Sequence, residues 1–582
     1  MMLRFVVMLC LLLWPLLGLQ PACARDTGVD RHVRHFMVEP SGAYLLTVEH
    51  TRTIAQRDAL HEHARYDIGY NQAIEDIIAV EAYTEKADGR RLAVQPHQIL
   101  DQPQAASNDA PMFQNTRLKR VVFPDVEAGD RVAVRYVVRR HTPLFPGHFE
   151  DLASAGLQRQ RDFRVVYDMP AAMLLHADAT GFSPITVADL SAPSAGTRRY
   201  AWRYLDGDDA RIEAGSVSEL DYGKRLAVST FADYAALALA YQDGTGAHAQ
   251  PDDRVAALAA RVTGDVIEPR ARAIALSDWV RHNVRYVDMH LGPGGVVPHA
   301  AASVLANRYG DAKDHATLLV ALLASAGIDS TVALVNNGNA YQLPAAPTLG
   351  VLNHAIVYVP SLQLYLDSTA DSVVGGFLSA ALLGKPAVLT RSGEFAMLPL
   401  FQQAHSHTLT QFTIGPDGSS RLTVTRTGSG ALAEPYRDVP GGDVAISSHG
   451  ASDGFTQLPG QMRLATTHRM EGGLGEAVFA FAQEPKRHQD FVCPAIDAED
   501  EVRFHLPTRS RVLALPRATH VDDANFAYHS RYARRGALVT VQRQLKFRHT
   551  AATCTPDDYR RMRPALERML RDLRSQVVFR RG

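Results

Sequence analysis

The chain has 582 residues, 46% hydrophobic and 21% charged, too many for a single core, so three or four domains are expected at roughly 100–200 residues each. Its 61 lysines and arginines balance 62 acids, a formal charge of −1. That balance argues against a nucleic-acid partner, whose binding rests on phosphate neutralisation, and against a surface held on anionic lipid.

The first element is an export signal. Arg4 supplies a positive start, residues 5–19 an apolar run broken by Pro15, and Ala22-Cys23-Ala24 a small-residue cleavage site. A signal peptide over 1–24 and a mature start at Arg25 are expected. Gln20-Pro21-Ala22 fits a lipoprotein anchor at Cys23 poorly, and no later segment reaches about 18 consecutive apolar residues. The expected product is exported and periplasmic, with no transmembrane segment after cleavage. Cys10 and Cys23 leave with the signal. Cys493 and Cys554 then share an oxidising compartment and are expected to form one disulfide, the alternative being two unpaired buried thiols.

Residues 25–228 read as an N-terminal β-sandwich domain. Val132-Ala133-Val134-Arg135-Tyr136-Val137 is β-rich, Asp88-Gly89 is a hairpin signal, and 102–115 is a polar loop. His61-Glu62-His63 reads as a solvated strand surface without a third metal ligand, and Arg139-Arg140-His141 as a short basic cluster and no more. Helical patterning starts at Thr230, with Asp233 in a capping arrangement, and 244–253 reads as a polar linker. A second helix opens at Pro269 and places Leu276, Trp279, Val280 and Val284 on one stripe. The Gly292-Pro293-Gly294-Gly295 loop follows. The clearest helix starts after Gly310: Leu318, Leu319, Leu322 and Leu323 form its apolar face, Asp311 caps it, Asp314 complements its positive end, and Gly327 stops it. Strands are expected over 330–335, 355–359 and 363–366, which together with the helices make an α+β unit over 229–388. Residues 389–582 return to β structure, with a turn at Gly415-Pro416-Asp417-Gly418 and strands at 411–414, 421–424, 538–541 and 545–547. A terminal helix begins Thr555-Pro556-Asp557-Asp558, combining an N-cap, an N1 proline and first-turn acids.

The middle unit offers two of the three groups of an acyl-transfer site. Such a site needs a thiol whose pKa is lowered at a helix N-terminus, a histidine to take its proton, and a carboxylate or amide to orient that histidine. His354 begins one strand and Asp367 ends the next, so antiparallel pairing can bring them together near the helix start Gly310-Asp311-Ala312-Lys313-Asp314. Lys313 and His315 are expected to project from other faces than Ala312, and Thr317 lies more than a turn away. Trp279 and Tyr286 could line a cleft, with core packing the expected role.

Pro298-His299-Ala300, the stretch from Val304 to Asp311, Lys313-Asp314 and Thr317-Leu318-Leu319 resemble the core of bacterial transglutaminase-like proteins. The preceding β region resembles the uncharacterised domain that commonly precedes this core in exported bacterial proteins. The region from Ala514 to Cys554 with the final helix resembles the β domain that commonly follows it. The resemblance implies a papain-like fold with a Cys-His-Asp triad, the histidine falling on His354, the aspartate on Asp367 and the cysteine on Ala312. A methyl group cannot attack a carbonyl. The leading expectation is therefore a pseudoenzyme whose cleft binds a protein or peptide in the cell envelope, with no cofactor and no metal. Three alternatives stand beside it. One is an active acyl transferase, protease or amide hydrolase using His354 and Asp367 by another mechanism. Another is an enzyme disabled by an introduced Cys-to-Ala change, and the last a structural adaptor.

Overall fold

Alternating apolar residues, buried on both faces where a strand is central, build the N-terminal part. The computed structural model describes residues 28–580 except 105–108, 157, 186–194, 206, 208–210, 289–294, 417–418, 434–445, 449–461 and 467–472. The expected signal peptide, part of the 102–115 loop, Gly292-Pro293-Gly294 and Asp417-Gly418 lie outside the described residues. An eight-stranded sheet runs in the order Ser183–Pro184, Thr197–Leu205, Asp162–Pro170, Val29–Val38, Tyr44–Thr53, Arg131–Arg140, Glu75–Glu85, Arg91–Ala93. All its pairings are antiparallel except Val29–Val38 with Asp162–Pro170. Two three-stranded sheets accompany it. One, Arg65–Asn71, Thr116–Val122 and Ile99–Pro103, shares a core of Ile54, Ile68, Val121, Phe123, Val132 and Val134 with the large sheet. The other, His176–Thr180, Arg225–Ser229 and Glu150–Ser154, closes an aromatic core of Phe36, Phe149, Phe163 and Tyr167.

One surface expectation is corrected here, and one charged cluster gains a structural role. Leu60–His63 is a short helix, not a strand, and His63 is buried, accepting from the Arg52 guanidinium at 2.6 Å. Within the basic cluster Arg140 is buried and pairs with Glu75 at 2.7 Å, while its neighbours are exposed. The carboxylate offsets the cost of burying this guanidinium, and nothing local in the sequence links residues 75 and 140.

In the middle unit Asp233 caps the helix Tyr234–Thr245, its carboxylate accepting the Ala236 N–H at 2.8 Å. The expected linker is mostly ordered. The helix runs on to Thr245, Gly246–Ala249 makes a 3-10 turn, and an unanticipated helix, Asp253–Thr263, follows under an Asp252 cap. The helices Pro269–Asn283, Ala301–Asn307 and Ala312–Ser325 come next. Leu258, Leu276, Val280, Val304, Leu318, Leu319, Leu322 and Leu323 pack together against Leu334, Ala355, Val357 and Leu366 of an antiparallel sheet. That sheet has the order Leu364–Leu366, His354–Val359, Thr331–Val335, Pro386–Leu389, Phe395–Met397. Leu378, Leu382 and Leu398 close its opposite face.

The C-terminal part is a seven-stranded sheet in the order Ile446–Ser448, Ser420–Gly430, Ala404–Ile414, Ile496–His505, Leu538–Phe547, Phe526–Arg535, His520–Asp522. The helix Pro556–Leu573 opens on the expected Thr555 cap. Its Asp572 is buried and accepts from Tyr528 at 2.6 Å, Ser530 at 2.8 Å, Tyr532 at 2.9 Å and Arg543 at 3.1 Å. The helix is not the last element, because Gln576–Arg580 adds a strand between Met462–Ala465 and Arg511–Ala514. Cys493 and Cys554 form a disulfide with Cα atoms 5.2 Å apart, tying the Phe491–Val492 and Thr553–Cys554 strand pair before that helix. Among the described residues no helix is long and apolar enough to cross a membrane.

Candidate functional site

The site begins with the chain's approach to the helix Ala312–Ser325. Arg308 closes the preceding helix in the left-handed region (φ 62°), and Tyr309–Gly310 then pairs in parallel with Arg285–Tyr286. Gly310 is required by space, since a Cβ there would lie 2.6 Å from Asp314 Cβ. Asp311 and Asp314 cap reciprocally: the Asp311 carboxylate accepts the Asp314 N–H at 3.2 Å, and the Asp314 carboxylate accepts the Asp311 N–H at 3.4 Å. Ala312 is therefore the first helical residue, at the positive end of the dipole, and is 4% exposed.

The helix packs on the strand His354–Val359. His354 opens that strand opposite Val335 and is 2% exposed. The neighbouring strand Leu364–Leu366 delivers Asp367 just past its end, and His354 Nε2 stands 3.2 Å from Asp367 Oδ2. Thr369 fixes the other carboxylate oxygen through its N–H at 2.9 Å and its hydroxyl at 2.7 Å. Burial resists ionisation of Asp367, but His354 and Thr369 together outweigh it and hold the carboxyl below its usual range. With Nε2 committed to Asp367, Nδ1 is the ring nitrogen that can face a reacting group.

A second imidazole was missed by the sequence reading. His315 does not project away; it is buried at 1% exposure, its Nδ1–H donating at 3.0 Å to the carbonyl of Ser368, the residue after Asp367. The ring meets Tyr286 edge-on at 5.9 Å. Burial pushes its pKa down, opposed by hydrogen bonding to the Ser368 and Arg285 backbone. The spacing from Ala312 to His315 is i,i+3, which places both on one helix face; that spacing was the available signal. Tyr286 is half-buried against this ring, not a pure core residue.

Around the cap the charges are matched. Lys313 Nζ contacts Asp311 Oδ2, and His299 reaches Asp314 through its N–H at 2.8 Å and its Nδ1 at 2.9 Å. Burial pushes Asp311 up, partly countered by Lys313. Burial also works against Asp314, but the His299 hydrogen bond and Lys313 hold it low, and the same hydrogen bond raises His299. The N-terminal domain covers this corner. Phe113 stands edge-on to His299 at 5.3 Å and lies 5.9 Å from the Lys313 ammonium, and the Met112 N–H donates to the Tyr309 hydroxyl at 3.0 Å.

Chemically, this is an oriented histidine–aspartate pair and a helix N-terminus with no nucleophile on the first helical residue. Among the predicted residues, His354 and Asp367 are brought into contact. Gly310, Asp311, Lys313 and Asp314 form the helix start beside Ala312.

Comparison with known proteins agrees with this architecture. Residues 40–207 match DUF3857, a domain of unknown function with a solved structure, and residues 256–362 match the transglutaminase-like superfamily. The class is thus a multidomain α+β protein with a transglutaminase-like core. More particularly, the chain carries a DUF3857 domain followed by that core and a C-terminal sheet domain. A provisionally assigned protease from Parabacteroides distasonis ATCC 8503 has the same fold: TM-score 0.74, 16% identity, covering 96% of this chain and 100% of that one. A provisionally assigned cysteine protease from Cytophaga hutchinsonii (TM-score 0.16, 11% identity, 57% and 78% covered) and an M1 zinc metallopeptidase from Deinococcus radiodurans (TM-score 0.19, 15% identity, 35% and 42% covered) support no common overall fold. No curated protein matches the chain.

Proposed function

We propose that this is an exported transglutaminase-like protein whose site binds a peptide or protein segment in the cell envelope without turning it over. Ala312 carries the reading: it occupies the position that the family resemblance gives to the nucleophile, and it has no lone pair. Removing a triad nucleophile in a comparable hydrolase costs about 10⁶ in rate. Export is supported by the signal-like residues 1–24 and by the Cys493–Cys554 disulfide, a bond that persists in oxidising compartments. The test is incubation of the purified protein with glutamine- and lysine-containing peptides, following ammonia release, cross-linking and cleavage. No turnover above buffer is expected. Turnover that disappears in His354→Ala would overturn the reading. It would select instead a hydrolase in which His354, oriented by Asp367, activates water, a role favoured by the intact pair.

A further inference from the structure

We propose that His520, Asp522 and His529, on the outer face of the C-terminal sheet, form a binding site for one divalent transition-metal ion, with zinc as its natural class. The strand register places them together. His520 of the edge strand His520–Asp522 lies directly opposite His529 of Phe526–Arg535, and Asp522, two residues on, shares the face of His520. Burial settles which face this is: Val521 and Tyr528, the intervening residues, are 1% and 0% exposed, while His520, Asp522 and His529 look outward.

The three side chains meet on this face. His520 Nδ1 and His529 Nδ1 are 2.5 Å apart, His520 Nε2 is 2.5 Å from Asp522 Oδ2, and His529 Nε2 is 3.9 Å from Asp522 Oδ1. One donor atom from each residue lies within 4.8 Å of the other two. A tetrahedral zinc ion with ligands at about 2.0–2.2 Å needs donors about 3.3 Å apart, a spacing that small side-chain rotations reach from here. Two imidazole nitrogens this close direct lone pair at lone pair unless a proton or a cation lies between them. Two neutral imidazoles and one carboxylate suit zinc, nickel or copper, whereas calcium and magnesium prefer more numerous, all-oxygen ligands. The set carries one negative charge against a dication and leaves a fourth position for water. Since His520–Asp522 is the edge strand of the sheet, the ion would clip that short strand to its neighbour.

Two other histidine groupings among the described residues lack these properties. Cys493, His549 and Cys554 also cluster, but both sulfurs are committed to the disulfide and offer no thiolate. His63 turns inward to Arg52.

The experiment is zinc titration of the full chain by calorimetry, after treatment with chelator and with the disulfide intact. The same titration is run on His520→Ala, His529→Ala and Asp522→Asn. Cobalt absorption provides a second readout, and calcium the control. Each variant is expected to bind one zinc fewer per chain than the parent, to lose the cobalt d–d bands, and to keep the parent's circular dichroism. Zinc stoichiometry and affinity unchanged by all three substitutions would overturn the proposal, as would no zinc uptake by the parent or displacement of zinc by calcium.

Discussion

Replacing Ala312 by cysteine tests whether the surroundings still act on a nucleophile. An ordinary cysteine titrates near about 8.5, and helix N-termini or adjacent cations bring it to about 3.5–7.5. The formal charges nearest the helix start largely cancel, Asp311 against Lys313 and Asp314 against His299. What remains is the helix end, worth up to about 2 kcal/mol in partly buried geometry, or about 1.5 pKa units at 1.36 kcal/mol per unit. Burial of the 4% exposed site opposes it. The helix alone therefore leaves the thiol between about 7 and 8.5, and a midpoint below about 7 requires an ion pair with the His354 imidazolium. The assay is the rate of iodoacetamide alkylation of Ala312→Cys from about pH 4 to pH 9, with labelling located by mass spectrometry. The shape of the pH profile decides, because the covered site slows reagent entry at every pH. A midpoint below about 7 that rises in Ala312→Cys/His354→Ala is expected. A midpoint at or above about 8.5, unmoved by loss of His354, would refute the idea that the pair addresses residue 312. The added sulfur costs about 1–3 kcal/mol of overpacking at most, visible as a lowered Tm.

Two further outcomes follow from the geometry. The Asp367 carboxyl sits below its ordinary value of 3.8, so its contribution to stability is present above that value and is lost as pH falls through the lower folded-state value. Asp367→Asn is thus expected to be less stable than the parent at neutral pH, by about 1–3 kcal/mol, with the gap closing in acid; urea denaturation across pH checks this, and a constant gap would contradict it. The Cys493–Cys554 bridge spans a sequence separation of 61, for which chain entropy predicts about 4 kcal/mol, so Cys493→Ser/Cys554→Ser should lower the unfolding free energy of the C-terminal domain, read by urea denaturation, by that amount.

The elements that the sequence made legible are those with local causes. The capped helix at Ala312, the strands that carry His354 and Asp367, and the Thr555-Pro556 helix start all carry their signals within a few residues. The helix Asp253–Thr263 was lost because Gly244, Gly246 and Pro251 mark a loop, while Asp252 just beyond them is itself the cap. Long-range partners left no trace: Arg140 read only as part of a basic cluster because Glu75 lies 65 positions earlier, and His299 gave no hint that it meets Asp314. Phe113 sat within a stretch read as a polar loop, yet it supplies the cover over the helix start. His315 is the instructive miss, since its i,i+3 relation to Ala312 was visible but the ring's destination depends on where Ser368 lies.

The parts of the site differ in what they imply. The cap, Gly310, Lys313 and His299 are sufficient reason for one another: they start a buried helix and neutralise its acids, as any protein of this architecture would require with or without chemistry. The His354–Asp367 pair is different. It lies in the covered interior, and burying a carboxylate against an imidazole gains little that well-packed apolar side chains would not supply, replacement of buried ion pairs by such residues often being neutral or stabilising. Thr369 adds two more hydrogen bonds to keep that carboxylate ionised and oriented. An arrangement that costs desolvation and fixes the direction of one imidazole is the part of this site for which stability gives no account. Under the proposed function, a ligand group held at His354 Nδ1 is what this orientation serves.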